Sequence, residues 1–466
     1  MFQINLKEIK IPVGLFIVLA GLLLSACTGN SIIREDFKKL CVFQKNGDCG
    51  TNTIQQYKHD KNAEYHLGFV EFNDQGQMYD RAQLETVLQH FYPIAGTKGV
   101  LLVTFVHGWH HGAGQDSDGL DDSNITEFRK LLARISRTES KVMGNKARTV
   151  LGVYVGWRGD SISIPYINDL TFWDRKNTAH DVGGNGVAEV FIKLEEIVNV
   201  KKGMDSGSKT LPSRFVVIGH SFGGAVTYTA LQNILADRYY DSRVGKTYQD
   251  DAKGFGDIVI LVNPAFEALR FANLFDIGQQ VSKNKNCRNY FAGQIPRLAI
   301  LTSETDLATK WAFPAGRFFS TLFESHNDLN RFDCRFDNKT GRYLAEPLIV
   351  DEGSADRTAV GHFEPFMTHR LRDASSRLER ADDFDYCQLN KMWLAQKASS
   401  TLSFESADLI HNGKTHPFNP YMNVYVDEEL MDGHNDIWGA GITSFLRDLI
   451  FVSTMPSAKY CTTARK

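Results

Sequence analysis

The chain has 466 residues, enough to bury a large core in one big domain or two. Its 42% hydrophobic and 23% charged residues are ordinary for a globular protein. A net charge of −3 with no basic stripe gives no case for a nucleic-acid partner.

The N-terminus reads as a targeting segment, not as part of the fold. Lys7 and Lys10 form a positive n-region ahead of the uncharged apolar stretch Ile11 to Ala26. That stretch is short of the roughly 20 apolar residues a spanning helix needs. It ends in Leu24-Ser25-Ala26-Cys27, which resembles a bacterial lipoprotein lipobox. The resemblance implies cleavage before Cys27 and lipid on its sulfur, so the protein would be tethered to a membrane without spanning it. Thr28 follows the cysteine, not Asp, which by the same resemblance implies the outer membrane, on its periplasmic or surface face. A plain signal peptide or a membrane anchor is the alternative. Seven cysteines fit an exported chain: without Cys27, an even number remains for disulfides. Cys41 and Cys49 flank Gly47 and could close a small loop; free buried thiols are the alternative.

Residues 27–62 are polar, lack periodicity and read as a tether. Leu67 to Phe72 is a strand, Asn73 to Gln77 a turn, and Met78-Tyr79 could pair back on the strand. Leu84, Val87, Leu88 and Phe91 mark a helix. Gly99 to Val106 is a continuous apolar strand buried on both faces, followed by His107-Gly108-Trp109-His110-His111-Gly112. A helix after the acidic loop 116–122 carries Ile125, Phe128, Leu131, Leu132 and Ile135, with Ser123 as its candidate N-cap. Val150 to Val155 is the next strand and runs into Gly156-Trp157-Arg158. A helix with Val187, Val190, Phe191, Leu194 and Ile197 comes next.

Phe215 to Ile218 is a short β-branched strand. It enters Gly219-His220-Ser221-Phe222-Gly223, a G-x-S-x-G pattern, and a helix follows. Strand, sharp turn and helix are the context of a nucleophile elbow. Two more strands end at Asn263-Pro264 and at Thr302-Ser303-Glu304-Thr305-Asp306. The last strand, Met422 to Val426, precedes Asp432-Gly433-His434-Asn435-Asp436 and a final helix. Strands alternating with helices predict an α/β protein with a mainly parallel sheet flanked by helices. Its site should lie at the carboxyl ends of the strands. Residues 310–420 interrupt the alternation and read as a large inserted cap or lid before the last strand. The expected divisions are a signal peptide (1–26), the tether (27–62), the core (63–309 and 421–466) and the cap (310–420).

A serine hydroxyl needs a base to take its proton and a carboxylate to orient that base. Ser221, Asp306 and His434 each follow a strand, in the order an elbow enzyme requires. Glu304, beside Asp306, is the alternative acid. The loop sequence at His107-Gly108-Trp109, the segment Tyr154 to Trp157, the elbow, Thr302 to Asp306 and Gly433 to Ile437 together resemble the α/β-hydrolase fold superfamily, in its branch of bacterial lipoprotein esterases and lipases. The resemblance runs from roughly Val100 to Ile450 except for the cap. It implies a membrane-tethered serine hydrolase that cleaves carboxylic esters of lipid-like or other acyl substrates through an acyl-enzyme. The amides of Trp109 and Phe222 would form the oxyanion hole. His107, Gly108, His220, Trp157, Arg158, Phe172 and Trp173 are candidate pocket residues, with core packing as the alternative for the aromatics. His362 and His369, inside the cap, are rivals for the base. No cofactor is expected. His107, His110 and His111 lack thiolate or carboxylate partners, so no metal is expected either. A thioesterase, amidase or peptidase would use the same triad, and an inactive hydrolase-fold binding protein is the contrasting class.

Overall fold

The computed structural model describes residues 31–455, apart from 46, 59–62, 116–117, 159–171, 201–210, 243–251, 283–284, 289, 291–293, 381–384 and 398–399. Cys27 and its neighbours lie outside the described residues. In chain order the elements are β1 (Asp36–Phe43), β2 (Asn52–Tyr57), β3 (Tyr65–Phe72), α1 (Arg81–Thr97), β4 (Val100–Val106), α2 (Ser123–Met143), β5 (Thr149–Trp157), α3 (Phe172–Gly184) and α4 (Gly186–Asn199). Then come β6 (Arg214–His220), α5 (Phe222–Asp241), β7 (Ile258–Val262), α6 (Ala268–Gln279), β8 (Leu298–Ser303) and α7 (Phe313–Ser320), the last entered through a π-helical turn, Ala308–Ala312. The chain closes with β9 (Asp328–Asp337), β10 (Arg342–Asp351), α8 (Glu352–Arg357), β11 (His369–Asp373), α9 (Tyr386–Leu394), β12 (Thr401–Ser403), β13 (Ala407–His411), β14 (Tyr421–Val426) and α10 (Ala440–Thr454).

Twelve strands form one sheet in the order β1-β2-β3-β5-β4-β6-β7-β8-β14-β11-β13-β12. From β3 to β11 every pairing is parallel. Every residue of β4, β7 and β8 is buried, which explains their unbroken apolar sequence: helices cover both faces of the sheet. Helix α1 buries the stripe read from the sequence, Leu84, Val87, Leu88 and Phe91. Helix α2 begins at Ser123, but its cap is Asp122, whose carboxylate accepts the Asn124 amide. Met78 pairs back on Phe72, as the turn chemistry suggests.

The structure departs from the sequence reading in two places. The segment read as a tether, 27–62, contains β1 and β2, which belong to the sheet. It looks polar for two reasons: β1 is a largely exposed edge strand, and several polar residues beside it are buried with partners. Arg34 is fully buried, donating to the carbonyls of Ala113 (2.7 Å) and Cys49 (3.0 Å) and to Asp121 (2.6 Å). Arg129 holds the other oxygen of Asp121. Burial would raise the Asp121 pKa, but the two guanidinium groups outweigh it and the pKa is lowered. The second departure is in 310–420. Only part of it stands outside the sheet, as the β9–β10 hairpin and the short helices. Strands β11, β12 and β13 from the same segment extend the sheet beyond β14. Alternating burial along β11 and β13 gives them no continuous apolar run to recognise.

Disulfides join Cys41 to Cys49 and Cys287 to Cys334, and Cys387 is disulfide-bonded as well. Such bonds persist in oxidising compartments and point to a chain exported from the cytoplasm. Among the described residues no helix is long and apolar enough to cross a membrane.

Removing the Asp121 carboxylate would leave two buried guanidinium groups without their shared partner. Asp121→Ala is expected to lower unfolding stability by about 3–5 kcal/mol in urea titration. Exposed Lys38→Ala should stay within about 0.5 kcal/mol of the parent.

Candidate active site

The site is built at the carboxyl ends of β4, β6, β7, β8 and β14. Ser221 stands between β6 and α5 with φ 55° and ψ −122°, a backbone region that L-residues avoid. Its neighbours leave no room for side chains. A Cβ on Gly219 would lie 2.7 Å from the Gly223 carbonyl oxygen, and one on Gly223 would lie 2.2 Å from that of Val106. The turn thus packs into the end of β4. Gly108 presses on the serine itself, since a Cβ there would meet the Ser221 Cβ at 2.8 Å. Phe222 opens α5, so its amide sits in the first turn, where the helix dipole favours negative charge.

The structure brings the three residues named from strand order together. His434 Nε2 is 2.7 Å from Ser221 Oγ, and His434 Nδ1 is 2.9 Å from Asp306 Oδ2. With the carboxylate as acceptor, Nδ1 carries the proton and Nε2 is left to accept from the serine. Asp306 is fully buried. Its Oδ1 accepts the amides of Ala308 (3.0 Å) and Thr309 (3.1 Å), and the Thr309 hydroxyl donates to Oδ2. Burial would raise the Asp306 pKa; the bonds from His434 and Thr309 prevail and it is lowered.

Glu304 points elsewhere: its carboxylate accepts from Arg370 (2.9 Å) and from the Glu428 amide (3.1 Å). His362, one rival base, donates to Thr309 Oγ1 (3.0 Å) and so stands behind Asp306. His369, the other, is buried on β11 beside Thr368 and His411.

His107 and Trp157, expected among the pocket residues, are packed into the core. His107 donates through Nδ1 to the Gly108 carbonyl (2.8 Å), while its Nε2 accepts the Trp157 amide (3.0 Å). Its ring lies between those of Tyr154 and Trp157. It therefore shapes the 107–109 loop, and does not wall an open cavity. His220 is buried and donates through Nε2 to the His434 carbonyl (3.0 Å). Trp109 stacks on His110 and meets Phe222 edge-on. Arg158 pairs with Asp74 at 3.3 Å. Phe172 and Trp173 open α3, but their side chains lie outside the described residues. Contrary to the sequence reading, His111 has a carboxylate partner, Asp122 at 3.1 Å, whereas His107 is bonded to backbone groups of Gly108 and Trp157. Glu324, His326 and Asp356 lie close enough to share an ion, but Arg317 already holds both oxygens of Asp356, at 2.6 and 2.7 Å.

Sequence reading missed the groups that hold the His434 loop. Asn263, at the end of β7 with φ 46°, donates to the carbonyls of Gly433 (3.1 Å) and His434 (2.9 Å) and accepts the Ser303 amide (2.9 Å). Ser303 Oγ donates to the Met431 carbonyl (2.7 Å), and the Gly433 amide donates to Thr305 Oγ1 (2.9 Å). The available signal was position: Asn263, Ser303 and Thr305 follow strand ends, as the three named residues do.

No family model and no curated protein matches the chain. Among solved structures, an uncharacterized protein from Pseudomonas aeruginosa aligns over 51% of this chain and 42% of its own, with 10% identity and a TM-score of 0.20. Similarity at that level carries nothing about fold or activity.

Burial lowers the pKa of His107 to about 4 and that of His220, beside His434, to about 3, from an ordinary value of 6.5. Below the ordinary value the unfolded chain takes up protons that the native state refuses. The stability from these neutral rings is therefore full above that value and is lost as pH falls toward the native values. Each should contribute about 1 kcal/mol per pH unit over that window. Urea midpoints measured from neutral pH down to pH of about 4 should fall steeply, and a flat profile would contradict neutral burial.

Proposed function

We propose that this chain is an exported, membrane-tethered serine hydrolase of the α/β-hydrolase fold superfamily that cleaves carboxylic esters. The observation that carries the reading is the continuous relay Ser221 Oγ to His434 Nε2 (2.7 Å) and His434 Nδ1 to Asp306 Oδ2 (2.9 Å), on a strained turn between strand and helix. The G-x-S-x-G elbow, the mostly parallel sheet and the strand-end position of all three residues support the same family. The lipobox-like Leu24-Ser25-Ala26-Cys27 and the disulfides support export, with the outer membrane as destination.

In the proposed reaction Ser221 Oγ attacks the ester carbonyl as its proton passes to His434 Nε2. Asp306 keeps the imidazole in the required tautomer and stabilises the imidazolium that forms. The amides of Phe222 and Trp109 receive the negative charge on the carbonyl oxygen. His434 then protonates the departing alcohol, leaving an acyl group on Ser221. Water, deprotonated by His434, releases the acid. Asn263 and His220 act on the base through its backbone carbonyl and are positioning residues, since neither touches the reacting atoms.

Two sets of variants test this. Ser221→Ala or His434→Ala should lower kcat for p-nitrophenyl esters by up to about 10⁶, and Asp306→Asn by about 10⁴. The double variant Ser221→Ala/His434→Ala should be hardly worse than either single change, and Glu304→Gln should stay near the parent. A fluorophosphonate probe should label the parent and leave Ser221→Ala unlabelled; labelling that survives the substitution would overturn the assignment. Asn263→Gly tolerates the positive φ and removes only the clamp. It should lower kcat about 10- to 100-fold with circular dichroism unchanged, because a misplaced base loses orientation without losing chemistry.

A further inference from the structure

Directly after Asp306 the chain presents an apolar stripe to solvent. Leu307, Trp311, Phe318, Leu322 and Phe323 are all exposed, Trp311 at 66% and Phe323 at 97%. Trp311 lies in the π-turn and Phe318 in α7, Leu307 directly precedes the π-turn, and Leu322 and Phe323 lie in the turn that follows α7. The opposite face, with Thr309, Phe313 and Thr321, is buried against the fold. The outer side of the segment is therefore apolar and exposed, with Arg357 over the Phe318 ring. An exposed apolar surface of this kind marks an interaction site.

The other end of the chain indicates what covers it. The first described residues enter at the same rim of the sheet. The amides of Ile33 and Arg34 donate to Glu71 near the carboxyl end of β3, and Arg34 is bolted to the loop that follows β4. Ile33 is six residue steps from Cys27, a reach of at most about 22 Å. A lipid on Cys27 would thus hold this rim close to the membrane. Strand β8, which leads into the stripe, lies five strand pairings from β3, roughly 24 Å across the sheet at about 4.8 Å each. Ser221, at the end of β6, lies between the two.

We propose that the stripe Leu307–Phe323 is a second membrane contact, and that it and the tether together hold the mouth of the Ser221 site against a lipid bilayer. The proposal rests on the reading of the chain as a membrane-tethered protein. The bilayer interface suits this segment: Trp favours the headgroup level, while Leu and Phe enter the acyl boundary. An ester-bearing lipid would then reach the serine without crossing water.

The test uses the full chain, processed in a bacterial host and reconstituted into phosphatidylethanolamine/phosphatidylglycerol vesicles with brominated acyl chains. Flotation reports the tether, and quenching of tryptophan fluorescence by bromine reports the stripe. The parent should float and be quenched. Trp311→Phe should float and lose most of the quenching. Leu322→Asp/Phe323→Asp, which retains Trp311 and changes only exposed positions, should also float and lose it. Flotation with equal quenching in the parent and Trp311→Phe would overturn the docking and leave the tether standing. A parent that does not float would overturn both.

Discussion

The position of Ser221 depends on space that no side chain occupies. Its backbone sits in a region worth about 1–3 kcal/mol of strain, and that strain persists only because the surroundings leave the turn no alternative. Gly219 and Gly223 let the turn close on itself and on β4, and Gly108 lets the next loop come down onto the serine. Because the 107–109 loop and the elbow touch, the position of one determines the other. His107 then fixes that loop from behind, through its bonds to Gly108 and Trp157. The backbone at Trp109 and Phe222 is thus set by the same contact that sets the serine, as the proposed oxyanion hole would require.

His434 depends on a different kind of support. His434 is in a loop after β14, several strands from β6. Three neighbours converge on that loop: His220 from the elbow, Asn263 from β7, and Ser303 with Thr305 from β8 and the turn after it. His220 is the residue before Ser221 and donates to the carbonyl of His434. Movement of the elbow and movement of the His434 loop are thereby coupled through one hydrogen bond. Asn263 adds a second coupling, between the loop that carries His434 and the strand that leads to Asp306.

These supports explain how far the sequence could be read. Continuous apolar runs such as Val100 to Val106 and Ile258 to Val262 announce strands buried on both faces, and the structure places strands there. The Ser221, Asp306 and His434 positions were legible because each residue type is chemically distinctive and each follows such a strand. Arg34, Gln55 and Asp121 were not, because a buried polar group with a partner resembles a solvated one in sequence. Residues 27–62 therefore read as a tether in sequence although they contain β1 and β2. Strands β11 and β13 were hidden for a related reason: alternation over a few residues is weak beside helical and loop patterns. Asn263 was invisible as a clamp because its partners lie far along the chain, and no local period encodes such a contact.

Asp306 joins the two halves of this arrangement. Its Oδ2 orients His434, while its Oδ1 accepts the amides of Ala308 and Thr309, the first turn of the helical segment that carries the exposed stripe. A carboxylate in that position caps the segment and is in turn stabilised by it. The Thr309 hydroxyl, itself held by His362, adds a second link on the same side. The acid therefore cannot shift relative to His434 without disturbing the segment's first turn. Leu307 adjoins Asp306 and Trp311 lies in the same π-turn as Ala308 and Thr309, so the exposed stripe and the carboxylate that holds His434 share one short segment. In the proposed enzyme this would make the acid the point where contact with a lipid surface and the readiness of the serine meet.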